Sequence, residues 1–270
     1  MGDLRPLHCY FVCATPRSGS TLLCETLSAT GVAGRPAEYF ETLRSTGLPR
    51  QPRQYFDGLL DDPAVQRLGE TIPGTPEAPG AFAEHLRASL TAGTTGNGVF
   101  GAKVMWGHLP DLAARIKSLP GYERRPTVEA LASLFPGVRY VQVLRRDKVA
   151  QAVSLWKAVQ TRRWRDDGVQ ERDAELFYSR PAIGHLVDQL TAQEQAWSSW
   201  LRTTGQPPLR IVYEEYARAP AANVGDVLWR LGIDAGAARD VPETIMRAQS
   251  DALSREWLAR FEADEREAVA

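Results

Sequence analysis

Four short apolar runs bounded by turn residues recur along the chain: Cys9–Ala14 (CYFVCA), Gly98–Val104, Val138–Leu144 (VRYVQVL) and Leu209–Tyr213. Their length and their β-branched and aromatic content predict strands. Apolar residues at helical spacing fill the intervals, over Thr21–Ala29, Pro79–Ala92, Leu109–Leu119, Thr127–Leu134, Lys148–Thr161, Pro181–Thr203 and Ala219–Leu231. Nearly continuous apolar runs suit strands covered on both faces, and strand alternating with helix is the pattern of parallel pairing. The fold class expected is α/β, a mainly parallel central sheet flanked by helices.

The segment 31–75 breaks this rhythm. It is rich in Pro, Gly and Arg and weakly periodic, so it reads as an insertion over the carboxyl edge of the sheet, where substrate recognition is often carried. A chain of 270 residues, 43% hydrophobic, can bury one large core, and a single domain over 1–270 is expected.

Composition narrows the function classes. Thirty-two basic residues face 33 acidic ones, a formal net charge of -1; no global field favours nucleic acid or an anionic membrane, and any anion site has to be local. No apolar run approaches a membrane span and the start lacks a signal-like apolar region, which points to a cytoplasmic protein. Cys9, Cys13 and Cys24 have no Cys-x-x-Cys spacing, and His8, His85, His108 and His185 form no ligand pair at helical spacing. The cysteines read as small apolar residues and no metal is expected.

Between the first strand and first helix lies Ala14-Thr15-Pro16-Arg17-Ser18-Gly19-Ser20-Thr21. Backbone N–H groups and the helix dipole meet an anion at such a place. A Walker A pattern would need Gly at Ala14 and Lys at Ser20, so the lysine that reaches a γ-phosphate is missing. Arg17 and the hydroxyls of Thr15, Ser18, Ser20 and Thr21 stand there instead, a donor set suited to a phosphate whose outer neighbour is a singly charged sulfuryl group.

After the third strand comes Arg145-Arg146-Asp147-Lys148, with Ser154 eight residues beyond Arg146. An arginine at a strand end and a serine two turns into the next helix can grip a second phosphate from two sides. Tyr213-Glu214-Glu215 ends the fourth run. Nearer the C-terminus, Arg247–Ser250 and Ser254–Trp257 offer further donors in what otherwise reads as a charged terminal helix.

Taken in order, these motifs resemble the superfamily of sulfotransferases that use 3′-phosphoadenosine 5′-phosphosulfate (PAPS), across nearly the whole chain. Thr15–Thr21 resembles its 5′-phosphosulfate loop, with Arg17 where Lys is usual; Arg146 to Ser154 is similar to its 3′-phosphate motif, and Tyr213-Glu214-Glu215 to its Tyr-Glu-Asp segment. Ser18–Leu23, Ala29–Gly34, Gln151–Ser154 and Ala158–Arg162 resemble, more narrowly, the mycobacterial trehalose 2-sulfotransferase family. The resemblance implies a P-loop-like sulfotransferase fold, PAPS as donor, a hydroxyl on a carbohydrate or glycolipid-like acceptor, a homodimer, and an acidic catalytic base. The matching position is Glu38, in Pro36-Ala37-Glu38-Tyr39-Phe40, where the Tyr39 and Phe40 rings could line a sugar. The matched acceptor region differs from the family at Pro16, Arg35 and Tyr55, where that pattern has Gln, Glu and Trp. Arg35 would suit an acceptor bearing an anion.

Two other readings share the first loop. A small-molecule kinase of the P-loop type would need the missing lysine and a second strand ending in Asp, whereas Leu144 leads to Arg145. A non-catalytic nucleotide-binding protein on the same fold would have no use for Glu38 together with Arg17.

Overall fold

A computed structural model describes residues 6–43, 47–75, 81–164, 176–236, 238–242 and 252–269. In chain order the elements are β1 (His8–Ala14), α1 (Ser20–Ala29), α2 (Pro63–Gln66), α3 (Phe82–Gly93), β2 (Val99–Met105), α4 (Leu109–Lys117), α5 (Thr127–Leu134), β3 (Arg139–Leu144), α6 (Lys148–Thr161), α7 (Arg180–Thr203), β4 (Leu209–Val212), α8 (Tyr213–Tyr216), α9 (Pro220–Leu231) and α10 (Ala252–Val269). Single 3-10 turns cover Glu41–Leu43, Pro52–Tyr55 and Trp106–His108. Contacts divide the chain into two compact units: Met1–Pro49, Gly74–Leu144 and Glu194–Ile245 in the first, Arg50–Pro73, Arg145–Gln193 and Met246–Ala270 in the second. The segment 31–75 is therefore shared between them.

The first unit contains the sheet, ordered β2-β1-β3-β4 and parallel at every pairing. β1 lies between two partners and is buried along all but its first residue, so its apolar residues are covered on both faces as parallel strands require. Because β2 and β3 lie on opposite sides of β1, the chain changes direction across it, and in open parallel sheets the crevice at such a switch, beyond the strands' carboxyl ends, is where ligands bind. The core is aromatic. Phe11 and Phe135 meet edge to face with centroids 4.8 Å apart, in a fully buried cluster with Phe40, Phe100 and Trp197. Burial pushes the Cys9 thiol up to about 12 and that of Cys13 well above its ordinary value; these cysteines pack as protonated, apolar side chains.

The second unit is helical within the described residues. Tyr55, Phe56, Val65, Trp156, Ile183, Leu186, Trp257 and Phe261 form its core, with the Trp156 indole N–H donating to the Phe177 carbonyl at 2.9 Å. Asp147 caps α6, its carboxylate accepting from the Ala150 N–H at 2.8 Å, a bond that stabilises a helix start by about 1 kcal/mol. Among the described residues no helix is long and apolar enough to cross a membrane.

Candidate active site

β1 ends on Ala14, whose carbonyl accepts from the indole N–H of buried Trp197 at 2.9 Å. The chain then turns sharply: the Ser18 N–H donates to the Thr15 carbonyl at 3.3 Å, and both Arg17 and Gly19 have positive φ, at 59° and 86°. An arginine in the left-handed region costs of order 1 kcal/mol, and alternation of this kind curls the backbone into a concavity that gathers N–H groups. Gly19 is the N-cap of α1 and brings no side-chain cap. A Cβ there would run into the ring of Tyr213, so the glycine is needed both for its φ and for this close approach. Tyr213, expected to end the fourth strand, instead opens α8 and lays its ring on the loop.

Thr15, Ser18 and Ser20 are buried, while Pro16, Arg17 and Thr21 are half-buried. The Ser18 hydroxyl, fully buried, has no hydrogen-bond partner among the described residues. A buried unpaired hydroxyl costs about 1–3 kcal/mol. The first turn of α1 carries no acidic side chain, so the positive end of the helix dipole is not neutralised there. An orphan hydroxyl, a curled backbone and an open helix N-terminus fit a phosphate or sulfuryl oxygen as the missing partner.

Glu38 reaches the site through the backbone of the insertion. Ala37 forms an isolated parallel bridge to Ala102, and the Lys103 N–H donates to the Ala37 carbonyl at 2.9 Å. Gly34 makes this docking possible: φ is 71°, and a Cβ would lie 2.7 Å from the Gly101 nitrogen and 2.9 Å from the Gly93 carbonyl oxygen. Glu38 then meets Lys103, carboxylate to ammonium at 2.8 Å, with the two side chains 25% and 7% exposed. The same ammonium donates to the Thr21 hydroxyl at 3.1 Å. One lysine thus ties the carboxylate to the first residues of α1.

Sequence reasoning passed over Lys103. The signal was a single lysine, within a run otherwise apolar, on a strand buried along nearly its whole length; a charge in such a place has to be paired. Beside this pair, the polar atoms of Glu38, Glu41 and His108 all lie within 4.8 Å of one another. Two carboxylates and an imidazole are a donor set that a divalent ion can use, although the Lys103 ammonium already places a positive charge against Glu38.

The remaining expected acceptor residues take different places. Phe40 is a correction: it is fully buried, part of the first unit's aromatic core, and has no ring face left for a sugar. Tyr39 stacks on Phe100 with centroids 6.1 Å apart and donates its hydroxyl to the Arg35 carbonyl at 2.6 Å; burial pushes its phenol up. Arg35 is exposed, its guanidinium donating to the Ala92 carbonyl at 3.4 Å. Tyr55 belongs to the second unit and is buried, between the Arg50 guanidinium, 4.2 Å from its centroid, and the Trp164 ring at 5.8 Å. Arg146 and Ser154 are also in the second unit, just before α6 and within it. Arg247–Ser250 lies outside the described residues.

Fold and site together define an α/β protein whose first loop curls around a buried hydroxyl unpartnered among the described residues and whose nearby carboxylate is held by a buried lysine. The chain belongs to the Stf0 sulphotransferase family, which matches residues 9–264. It is 40% identical over 265 residues, 96% of either chain, to a trehalose 2-sulfotransferase of Mycobacterium tuberculosis strain Erdman. It is 38% identical over 258 residues, 94% of either chain, to the trehalose 2-sulfotransferase of Mycolicibacterium smegmatis. Among solved structures it is similar to a sulfotransferase from Alicyclobacillus acidocaldarius, at a TM-score of 0.47 and 19% identity over 94% of this chain and 91% of that one.

Proposed function

We propose that this sulfotransferase moves a sulfuryl group from PAPS to a hydroxyl of a carbohydrate acceptor, by in-line displacement with Glu38 as general base. The observation that carries the reading is the ammonium of Lys103, bonded at once to Glu38 and to Thr21 at the start of α1. The donor supplies a sulfuryl group already joined to a phosphate leaving group. In the chain, Arg17, the Ser18, Ser20 and Thr21 hydroxyls and the loop N–H groups hold the 5′ end, with Tyr213 packed on the loop, while Arg146 and Ser154 take the 3′-phosphate. As the acceptor oxygen bonds to sulfur and the bond from sulfur to the bridging phosphate oxygen breaks, Glu38 takes the hydroxyl proton. Charge building on the leaving phosphate is met by donors already in place, which is where such stabilisation is most effective.

The acceptor class rests on the two curated relatives, both trehalose 2-sulfotransferases, and trehalose is the first compound to assay. Pro16, Arg35 and Tyr55 make related sugars and glycolipids the next ones. The reading includes a homodimer, as the family resemblance implies. Glu38→Gln tests the mechanism: general-base removal costs about 10²–10⁴-fold in rate, while calorimetric affinity for adenosine 3′,5′-bisphosphate stays near wild type. Full turnover in that variant would exclude Glu38 as the base.

A further inference from the structure

The second unit carries a polar group built from α6 and α10. α6 begins directly after Arg145-Arg146, with Asp147 as its cap. Ser154 and Lys157 are three residues apart on this helix, a spacing that puts side chains on one face. α10 packs against α6, and its first turn delivers Ser254, 7% exposed, to that face: the Lys157 ammonium donates to the Ser254 hydroxyl at 3.1 Å. A lysine head and a buried serine hydroxyl, from helices about a hundred residues apart in the chain, thus meet one helical turn beyond Ser154.

A phosphate monoester carries about 1.5–2 negative charges near neutrality and several acceptor oxygens. One guanidinium leaves part of that charge unbalanced. An ammonium brings three donor protons on a flexible stem, and a hydroxyl can turn from accepting to donating. We propose that Lys157, steadied by Ser254, is a further anchor for the donor's 3′-phosphate beside Arg146 and Ser154, and that it makes recognition depend on a phosphate at that position. The inference rests on the donor assignment above and extends it to two residues on different helices.

Calorimetry with adenosine 3′,5′-bisphosphate and adenosine 5′-monophosphate on the full chain tests it. Lys157→Gln removes the charge and keeps a donor for Ser254. It should weaken the bisphosphate by about ten- to a hundredfold, the range for a charge-assisted hydrogen bond, and leave the monophosphate within about twofold. Lys157→Arg should restore most of the discrimination, and Ser254→Ala should lose part of it. If Lys157 serves only to tie α10 to α6, thermal stability falls in Lys157→Gln and both nucleotides weaken together, or neither does; either result overturns the proposal. A wild-type protein that binds both nucleotides equally would instead remove the 3′-phosphate assignment itself. Discrimination that is present in wild type and undiminished in Lys157→Gln and Ser254→Ala removes only these two residues.

Discussion

Replacing Lys103 by methionine keeps the side chain out to the Cε position and deletes the charged Nζ at the point where the candidate base and the first loop are joined. The wild-type ammonium makes a 2.8 Å contact to Glu38, in the range of charge-assisted bonds, and a 3.1 Å bond to Thr21. At an effective dielectric of about 20 the gross attraction at such a separation is about 6 kcal/mol, but burying the lysine offsets much of it. The net loss is better set by hydrogen bonds to charged groups, about 1.5–3 kcal/mol, equivalent to roughly ten- to 150-fold at 1.4 kcal/mol per decade. Methionine leaves no unpaired charge at the buried position, and Glu38 retains solvent contact, so the fold should survive with a melting temperature within a few degrees. The assay is turnover with labelled donor and trehalose, beside calorimetry with adenosine 3′,5′-bisphosphate. Turnover should fall by that factor and bisphosphate affinity by less, since the product lacks the sulfuryl group that Lys103 and Thr21 would face. A folded Lys103→Met protein with wild-type turnover would refute the argument that this bridge places the base.

Arg146→Ala should weaken adenosine 3′,5′-bisphosphate binding by about ten- to a hundredfold, which calorimetry reads directly. Sulfuryl transfer should continue in EDTA; loss of activity restored by magnesium would turn attention to the Glu38, Glu41 and His108 group and to metal-assisted chemistry. Stability should fall on the alkaline side. Cys9 is raised to about 12 and Tyr216 to about 12, both by burial, so their neutral forms are favoured by folding. That contribution is intact below the unfolded values, near 9.0 for the thiol and 10.0 for the phenol, and is lost as pH rises through 12. Melting temperature measured from pH 7 to 11 should be level and then decline; a rise above pH 9 would contradict the burial of these groups.

What could be read from the sequence was what local pattern determines. β1, α1, α5 and α6 follow from apolar period and from turn residues at their ends, and the loop followed from Ser-Gly-Ser between a strand and a helix. The terminal helix had its signal too: Trp257 and Phe261, at i and i+4, are its buried stripe. Short elements escaped. Pro63–Gln66 is four residues long, too short for any period to register. Tyr213 was expected at a strand end because Ile211 and Val212 lead into it, and nothing local says that the backbone turns helical one residue earlier.

The site was less legible because its geometry is made by contacts distant in sequence. Glu38 and Phe40 are two residues apart, and adjacency suggested a common pocket. The bridge from Ala37 to Ala102 instead brings Glu38 to Lys103, while Phe40 enters the core within reach of Phe11 and Phe135, at centroid distances of 6.4 Å and 6.2 Å. The same register that pairs Val12 with Lys103 across β1 and β2 places the lysine opposite a residue two short of Ala14, where β1 gives way to the first loop. Moving Lys103 by one position along β2 would send its side chain to the other face of the sheet, because strand side chains alternate. The lysine's role is thus fixed by strand register and by a glycine at position 34 that lets the insertion dock, neither of which a pattern along the chain can express. A charge in a strand buried along nearly its whole length is nonetheless a local signal that some such partner must exist, and in this chain the partner is the carboxylate that the family resemblance had already singled out.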